Sequence, residues 1–323
     1  MTPALDARRE LDELATALET QLRSSTVERD RSIGDLTTYR VGGRAAVFVE
    51  VVDAEDLAAL AGVMAGSTVP VLVVGRGSNL LVSDAGFAGL VLRLGEHFAG
   101  VEHLEAGVVE IGGAASLPTV ARRLTSDGLH GFEWAVGVPG SLGGAVRMNA
   151  GGHGSDMRAS VRRASVLDLR SGRVEDIDAS DLDFAYRRSA IAAHHLVVRS
   201  VLGLDRGDPE TGMAEIAEIV RWRREHQPGG QNAGSVFTNP EADSAGRLID
   251  ATGLKGFRIG TAEVSVKHAN FIQADPAGRA DDIVALMAEV RRRVAAATGV
   301  RLHAETRMVG FGAQEIEDAG GVS

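Results

Sequence analysis

GVPGSLGGAVRMNAGGHG, residues 137–154, places seven glycines within eighteen positions. Glycine costs a helix interior about 1 kcal/mol relative to alanine, so such density needs a reason other than secondary-structure propensity. Two backbone demands supply one: a positive φ, or an approach too close for a Cβ. The whole chain has 40 glycines against 8 prolines in 323 residues, and two further clusters stand out, TTYRVGG (37–43) and GRGSNLL (75–81). Consecutive N–H groups in tight turns form concave anion sites. Each cluster alone reads as a tight turn; the three together point to a bound nucleotide or dinucleotide. None fits G-x-G-x-x-G between a strand and a helix, and no Walker lysine follows any of them.

Around these clusters the hydrophobic period alternates between helix and strand. Leu11, Leu14, Leu18 and Leu22 recur at helical spacing, which predicts an amphipathic N-terminal helix. AAVFVEV, PVLVVG, GLVLRL and GVVEIGG read as strands, with a helix over 54–66 between the first two. SLPTVARRLTSDGL (116–129) reads as a helix with Ser116 as its N-cap. RRASVLDL and HLVVRSVLGL are strands, and turn residues collect at 205–212. Beyond them come a helix over 213–227, short strands, a helix over 279–298 with Ile283, Val284, Met287, Val290 and Val294 on one side, and a last strand before a frayed tail. The expected architecture is α+β: a lead-in (1–31), a two-lobed region (32–88 and 89–208), a smaller α+β domain (209–310) and a flexible tail (311–323).

Composition narrows the chemistry. Hydrophobic residues at 44% and charged residues at 24% suit an ordinary globular chain. With no cysteine, disulfides, thiolate nucleophiles and cysteine-based metal sites are excluded. A formal net charge of -10 argues against a nucleic-acid surface, though a local basic pocket can still receive a small anion. No signal peptide, lipidation motif or membrane-length apolar run is read, so a cytoplasmic protein without stable membrane association is expected. No metal-ligand cluster is evident, and no metal is expected.

Read together, TTYRVGG, GRGSNLL, GVPGSLGGAVRMNAGGHG and FAYRRS resemble the FAD-binding part of the UDP-N-acetylenolpyruvoylglucosamine reductase family. NAGSVFTNP (232–240), AGRLIDATGLKG, KHANFI and AETRMVG resemble its substrate-binding part, in the short form of the enzyme. The likeness runs over residues 32–310 in order. It implies a vanillyl-alcohol-oxidase-like flavoprotein fold holding FAD noncovalently. The implied reaction, driven by NADPH, reduces the enolpyruvyl ether of a UDP-sugar to UDP-N-acetylmuramate in peptidoglycan synthesis. A monomer acting on a small-molecule UDP-sugar is the expectation.

The resemblance also implies roles. Ser235 would give a proton to the α carbon; a serine hydroxyl is a weak acid, credible only when held against a strongly basic carbanion or enolate. Arg187 would face the substrate carboxylate with paired donors, its neighbour Tyr186 lining or supporting that pocket. Glu305 would either hydrogen-bond the carboxylate, if protonated, or orient the proton relay. For the flavin the candidates are Tyr39, Arg40, Val41, Gly42 and Gly43; Gly75, Gly77, Ser78, Asn79 and Leu80; and Gly137, Pro139, Gly140, Ser141, Gly143 and Gly144, with Asn149 and Gly152 over the ring. Asn239, Lys255, Arg258 and His268 are candidates for the uridine diphosphate. Taken singly, these residues read as caps, turns or surface charges; the motifs in combination set them apart.

Thr238 and His226 stand where family members commonly carry lysine, so diphosphate or NADPH affinity would fall unless Arg223, Arg224 or His226 compensates. The rival readings are another flavin oxidoreductase of the same fold, acting on a sugar or lactone, and a flavin- or nucleotide-binding module without catalysis. Neither accounts for Arg187, Ser235 and Glu305 together.

Overall fold

The computed structural model describes residues 3–321 and divides the chain into two compact units that are not consecutive in sequence. The first comprises the chain through Arg29, Ala46–Arg76 and Gly89–Arg223; the second comprises Asp30–Ala45, Gly77–Ala88 and the residues from Arg224 onward. The second unit thus takes two short excursions from the N-terminal half, each ending in one of the glycine clusters or beginning with one. The consecutive segments expected from the sequence, with limits at 31/32, 88/89, 208/209 and 310/311, differ from this interleaving.

In the first unit a four-stranded sheet runs in the order Val27–Ser32, Arg44–Val51, Phe87–Leu94 and Val71–Val73. Leu90 to Leu92 are fully buried and Leu60 and Met64 of the helix Ala54–Met64 pack in the same core. The N-terminal helix Pro3–Gln21 adds its predicted leucine stripe there, with Leu18 wholly buried. A second sheet of five antiparallel strands has the order Arg173–Asp178, Val161–Asp168, His195–Gly203, Val108–Gly112 and Val101–Glu105. Helices Leu117–Ser126 and Leu142–Met148 share its core. Ser116 does occupy the N-cap position, but its hydroxyl makes no capping bond; its backbone instead bridges to Ser141.

The end of the first helix is latched to this unit by one carboxylate. Buried Asp56 accepts the backbone N–H groups of Arg23, Ser24 and Ser25 at 2.8, 2.9 and 2.6 Å. Burial by itself raises its pKa, yet these bonds and the Ser25 hydroxyl outweigh it and hold the group at about 2. The folded value lies below the unfolded one, so the latch is intact above about pH 4 and is lost as pH falls toward 2. Asp56→Asn is expected to cost about 3 kcal/mol at neutral pH, since three charge-assisted bonds are lost. Its thermal midpoint should therefore lie below wild type at pH 7, and the two should converge as pH falls to about 2. A gap independent of pH would contradict the latch.

Two expectations change at the C-terminal end. The turn-rich 205–212 stretch is not a linker: Asp208 accepts Thr211 N–H at 3.0 Å and starts a helix at Pro209 that runs to His226. An Asp-Pro pair supplies both a cap and a first helical residue, and the break between units falls after Arg223 instead. Nor is the chain from 311 on a frayed tail. Ala313–Asp318 is helical, and Arg291 Nη1 donates to the carbonyls of Glu317 and Asp318 while its Nε donates to Leu302 O. Those carbonyls are orphan acceptors that a cation at a helix C-terminus satisfies.

The second unit is built on the helix Ala280–Thr298. Its predicted stripe, Ile283 through Val294, is buried with the antiparallel strands Arg258–Ile259, Ala262–Val264 and Ile272–Ala274. Leu80–Val82 pairs in parallel with Arg307–Val309, so one excursion from the N-terminal half is stitched to the last strand.

Candidate functional site

The first unit contains a cleft of about 890 Å³, part of it open to solvent. Gly75, Ser141, Gly143 and Gly144, four of the cofactor candidates from the sequence, line it. The glycines among them let neighbouring groups approach more closely than a Cβ would allow. A Cβ on Gly75 would stand 2.1 Å from Ser141 Oγ, and one on Gly143 3.1 Å from Val197 O. Gly113, which the sequence reading passed over, is the tightest: its Cβ would meet Val197 O at 2.0 Å, and its own N–H and C=O bond Val198 O and Gly143 N. Gly113→Ala must therefore push two backbones apart, at about 3 kcal/mol. The purified variant is expected to hold far less flavin per chain than wild type; an unchanged flavin ratio would show that this close approach does not shape the cleft.

Charged side chains missed in the sequence also line the cleft, namely Glu50, Arg76, Arg93, Glu96, Arg147 and His195. Arg93 is paired with Glu50 at 3.4 Å. Arg76 lies inside the GRGSNLL cluster and Arg147 inside the 137–154 stretch, and both were available to notice; the others are brought to the cleft only by folding. A cradle that a Cβ would fill, with arginines on its walls, fits a dinucleotide carrying a pyrophosphate. Gly137, Pro139 and Gly140 do not line the cleft; Gly140 O instead accepts Leu117 N–H.

Asn149 requires a correction. It is buried, adopts a left-handed conformation (φ 41°) as the C-cap of Leu142–Met148, and its amide is fully occupied. Nδ2 donates to Asp156 and to Ala185 O, each at 3.0 Å, while Oδ1 accepts Arg158 N–H at 3.0 Å. It braces the loop carrying Ala185 rather than presenting a free amide to a ring. Gly152 pairs with Ser155 in a two-residue hairpin.

Ala185 begins the turn that carries Arg187. Ala185 and Arg188 exchange two backbone hydrogen bonds of 3.0 Å, leaving Tyr186 and Arg187 at the tip. Arg187 has φ 57°, a left-handed conformation costly for a residue with a side chain. Its Nη2 donates to Gly151 O at 3.0 Å and its guanidinium lies 5.0 Å from the Tyr186 ring centroid. Tyr186 itself is 59% exposed, so the ring supports the arginine from the solvent side.

In the second unit, main-chain bonds set the segments carrying Ser235 and Glu305 alongside each other. Val236, next to Ser235, donates to Asn270 O at 2.9 Å, and its carbonyl accepts Glu305 N–H at 2.8 Å. The Asn270 side chain closes both sides of Phe237, accepting its N–H and donating to its C=O. Asn79, expected at the flavin, serves this pair: Nδ2 donates to Glu305 O at 3.0 Å and its own carbonyl accepts Arg307 N–H at 3.1 Å. Ser235 and Glu305 are both half-buried. Arg307 was also missed; burial lowers its pKa, and among the described residues no ion pair to it is found.

The 37–43 cluster and Gly77 build the scaffold of this unit. Gly42 (φ 112°) and Gly77 (φ 60°) leave room for Val82 O and Leu36 O, which a Cβ would approach to 2.5 and 2.1 Å. The Tyr39 side chain does not line a cleft. It is wholly buried among Val41, Leu81, Ala233 and Val236, with burial pushing its pKa up. Val41 and Leu80 are likewise buried, while Arg40 takes φ 54°, and Gly43 lies against Gly86 and Ser78 is half-buried.

The proposed diphosphate contacts are mostly engaged locally. Asn239 Oδ1 accepts Ala245 N–H at a helix start. Lys255 meets Asp250 at 2.7 Å, and Arg258 is held between Glu263 and Asp275. These exposed pairs are weak and exchangeable. His268 packs on Phe271, with burial lowering its pKa. Thr238, in the place of the common lysine, caps His303 O through its N–H and hydroxyl.

Two family models and a set of known proteins match this chain. Residues 45–178 match an FAD binding domain, and residues 226–309 match the UDP-N-acetylenolpyruvoylglucosamine reductase C-terminal domain. A UDP-N-acetylenolpyruvoylglucosamine reductase of Synechococcus sp. (strain RCC307) is 42% identical over 88% of this chain and 94% of its own length. That of Heliobacterium modesticaldum is 42% identical over 88% of this chain and 91% of its own. The crystal structure of the Thermus caldophilus reductase superposes with a TM-score of 0.76 at 34% identity, covering 88% of this chain and 99% of that one.

Proposed function

The chain belongs to the UDP-N-acetylenolpyruvoylglucosamine reductase family, and on that premise we propose how its own residues divide the work. The reaction is the FAD-dependent, NADPH-driven reduction of the enolpyruvyl ether of UDP-N-acetylglucosamine to UDP-N-acetylmuramate in peptidoglycan synthesis. Bound FAD supplies the hydride for the terminal enolpyruvyl carbon. What this chain must add is a grip on the carboxylate, where negative charge grows, and a proton for the α carbon.

Arg187 takes the carboxylate. Its guanidinium remains charged throughout, and the turn that forces its φ positive fixes where the side chain leaves the backbone. Ser235 donates the proton, and Glu305 orients its hydroxyl and restores the proton afterwards. The observation that supports this reading is the Val236–Glu305 main-chain bond, which sets the segments carrying Ser235 and Glu305 alongside each other, with Asn79 donating to the Glu305 carbonyl. In the first unit, Gly75, Ser141, Gly143 and Gly144 with Arg76 and Arg147 would hold the cofactor. Lys255, Arg258, Asn239 and His268 would meet the uridine diphosphate by exchanging their present partners.

Glu305→Gln tests the relay. Glutamine keeps a hydrogen-bond donor but cannot pass a proton. If Glu305 orients and recharges Ser235, flavin reoxidation by substrate should slow about a hundredfold, with reduction by NADPH unchanged. A loss of only a few-fold would mean that Glu305 acts as a protonated donor to the carboxylate.

Among the described residues no helix is long and apolar enough to cross a membrane. A single chain carries every role assigned above, and a water-soluble sugar nucleotide as substrate favours a cytoplasmic monomer.

A further inference from the structure

We propose that Asp168, His194 and His195, beside the cofactor cleft of the first unit, form a binding site for one divalent transition-metal ion of the zinc class. Asp168 ends the strand Val161–Asp168 and His195 begins its antiparallel neighbour, the two facing each other in register. His194 is the turn residue just before, its carbonyl fixed by Leu169 N–H at 3.0 Å. The twenty-five residues between Asp168 and His194 explain why no spacing motif announced the group.

One donor atom from each residue lies within 4.8 Å of the other two. Zinc binds imidazole nitrogen at about 2.0–2.1 Å and carboxylate oxygen at about 2.0–2.2 Å, so side-chain rotations of modest size bring all three onto one ion. The three side chains are joined to one another only by long contacts. His194 Nε2 lies 3.6 Å from Asp168 Oδ1, too long for a hydrogen bond. The two imidazoles stand edge to face with centroids 4.5 Å apart.

Two neighbouring groups already orient the set. Ala192 N–H donates to His195 Nδ1 at 3.2 Å. That bond sets the neutral tautomer with its proton on Nε2, so an ion binding at Nδ1 takes the lone pair by displacing the Ala192 N–H. Arg170 N–H donates to Asp168 Oδ1 at 2.8 Å and holds the carboxylate, the support that metal-ligating groups need. Two imidazoles and one carboxylate suit Zn²⁺, Co²⁺ or Ni²⁺ and are a poor match for Mg²⁺, which prefers oxygen and water. Three protein ligands leave a fourth position for water. His195 also lines the cleft, so the site shares a residue with the cofactor wall.

The test is titration calorimetry of the FAD-loaded protein with ZnCl₂, in a buffer that does not chelate, repeated with MgCl₂. One Zn²⁺ per chain is expected, with no comparable Mg²⁺ heat. His194→Ala and Asp168→Asn, neither of which lines the cleft, should each weaken Zn²⁺ binding by about tenfold or more. His103→Ala, whose ring meets Asp127 elsewhere, should leave it unchanged. Flavin absorbance checks that each variant is still loaded; if His194→Ala loses flavin, Asp168→Asn carries the comparison. Zinc bound equally well by Asp168→Asn, or no binding by wild type, would overturn the site and leave an ordinary Asp–His contact.

Discussion

Ser235→Ala is expected to leave a yellow protein whose flavin is reduced by NADPH at nearly the wild-type rate, and whose reoxidation by the enolpyruvyl substrate is slowed by about 10²–10⁴-fold. The split between half-reactions follows from where Ser235 sits. It is held in the second unit by Val236 and Asn270, whereas the cleft that would hold the cofactor is lined by first-unit residues. Removing one hydroxyl empties no cavity large enough to unfold that segment. If hydride addition becomes reversible once protonation is blocked, exchange of hydrogen at the hydride-accepting carbon should appear as deuterium incorporation by mass spectrometry. Turnover of Ser235→Ala at the normal rate would assign the proton to another group.

Arg187→Ala should lower the reoxidation rate by about 10²–10³-fold, the usual cost of removing one donor aimed at developing charge. The effect is expected on the chemical step as well as on substrate KM, because the carboxylate is present in the bound substrate and gains charge as the reaction proceeds. The variant has a second, opposite consequence. Arg187 is strained at φ 57°, so Arg187→Gly should raise the thermal midpoint slightly while being as inactive as alanine. A rise in stability paired with loss of activity is the pattern of strain retained for function. If Arg187→Ala raises KM alone, the arginine binds substrate without assisting the reduction.

The motifs were legible in the sequence because their constraint is on the backbone. Gly42, Gly75, Gly77 and Gly143 all sit where a Cβ would collide with or crowd a neighbouring group, and clustered glycines advertise such places from any distance. The helical stripes of Leu14 and Leu18 and of Ile283 to Val294 were equally plain, since a period of 3.6 survives without knowledge of the partner. What a linear reading cannot give is the direction of a side chain within a motif. Tyr39 and Asn79 lie in glycine clusters read as cofactor loops, yet one fills the second core and the other holds Glu305. Asn149 was read the same way and proved to be a brace.

The cleft's charged walls were illegible for a different reason. Glu50, Arg93 and His195 are separated by tens of residues and assembled only by the two sheets of the first unit. Asp208-Pro209 read as a boundary because turn residues and helix caps share the same chemistry. The tail's helix depends on Arg291 reaching across from another helix, a tertiary contact that no local propensity contains.

The central claim is that this chain passes electrons from NADPH through bound FAD to an enolpyruvyl sugar nucleotide. It is tested most directly without oxygen: reduce the purified yellow protein with an equimolar amount of NADPH, add UDP-N-acetylenolpyruvoylglucosamine, and follow the flavin band. Prompt return of the oxidised spectrum, with UDP-N-acetylmuramate formed in equal amount, is the predicted result. A flavin that bleaches with NADPH and stays bleached until oxygen is admitted would contradict the substrate assignment and leave only the flavoprotein fold.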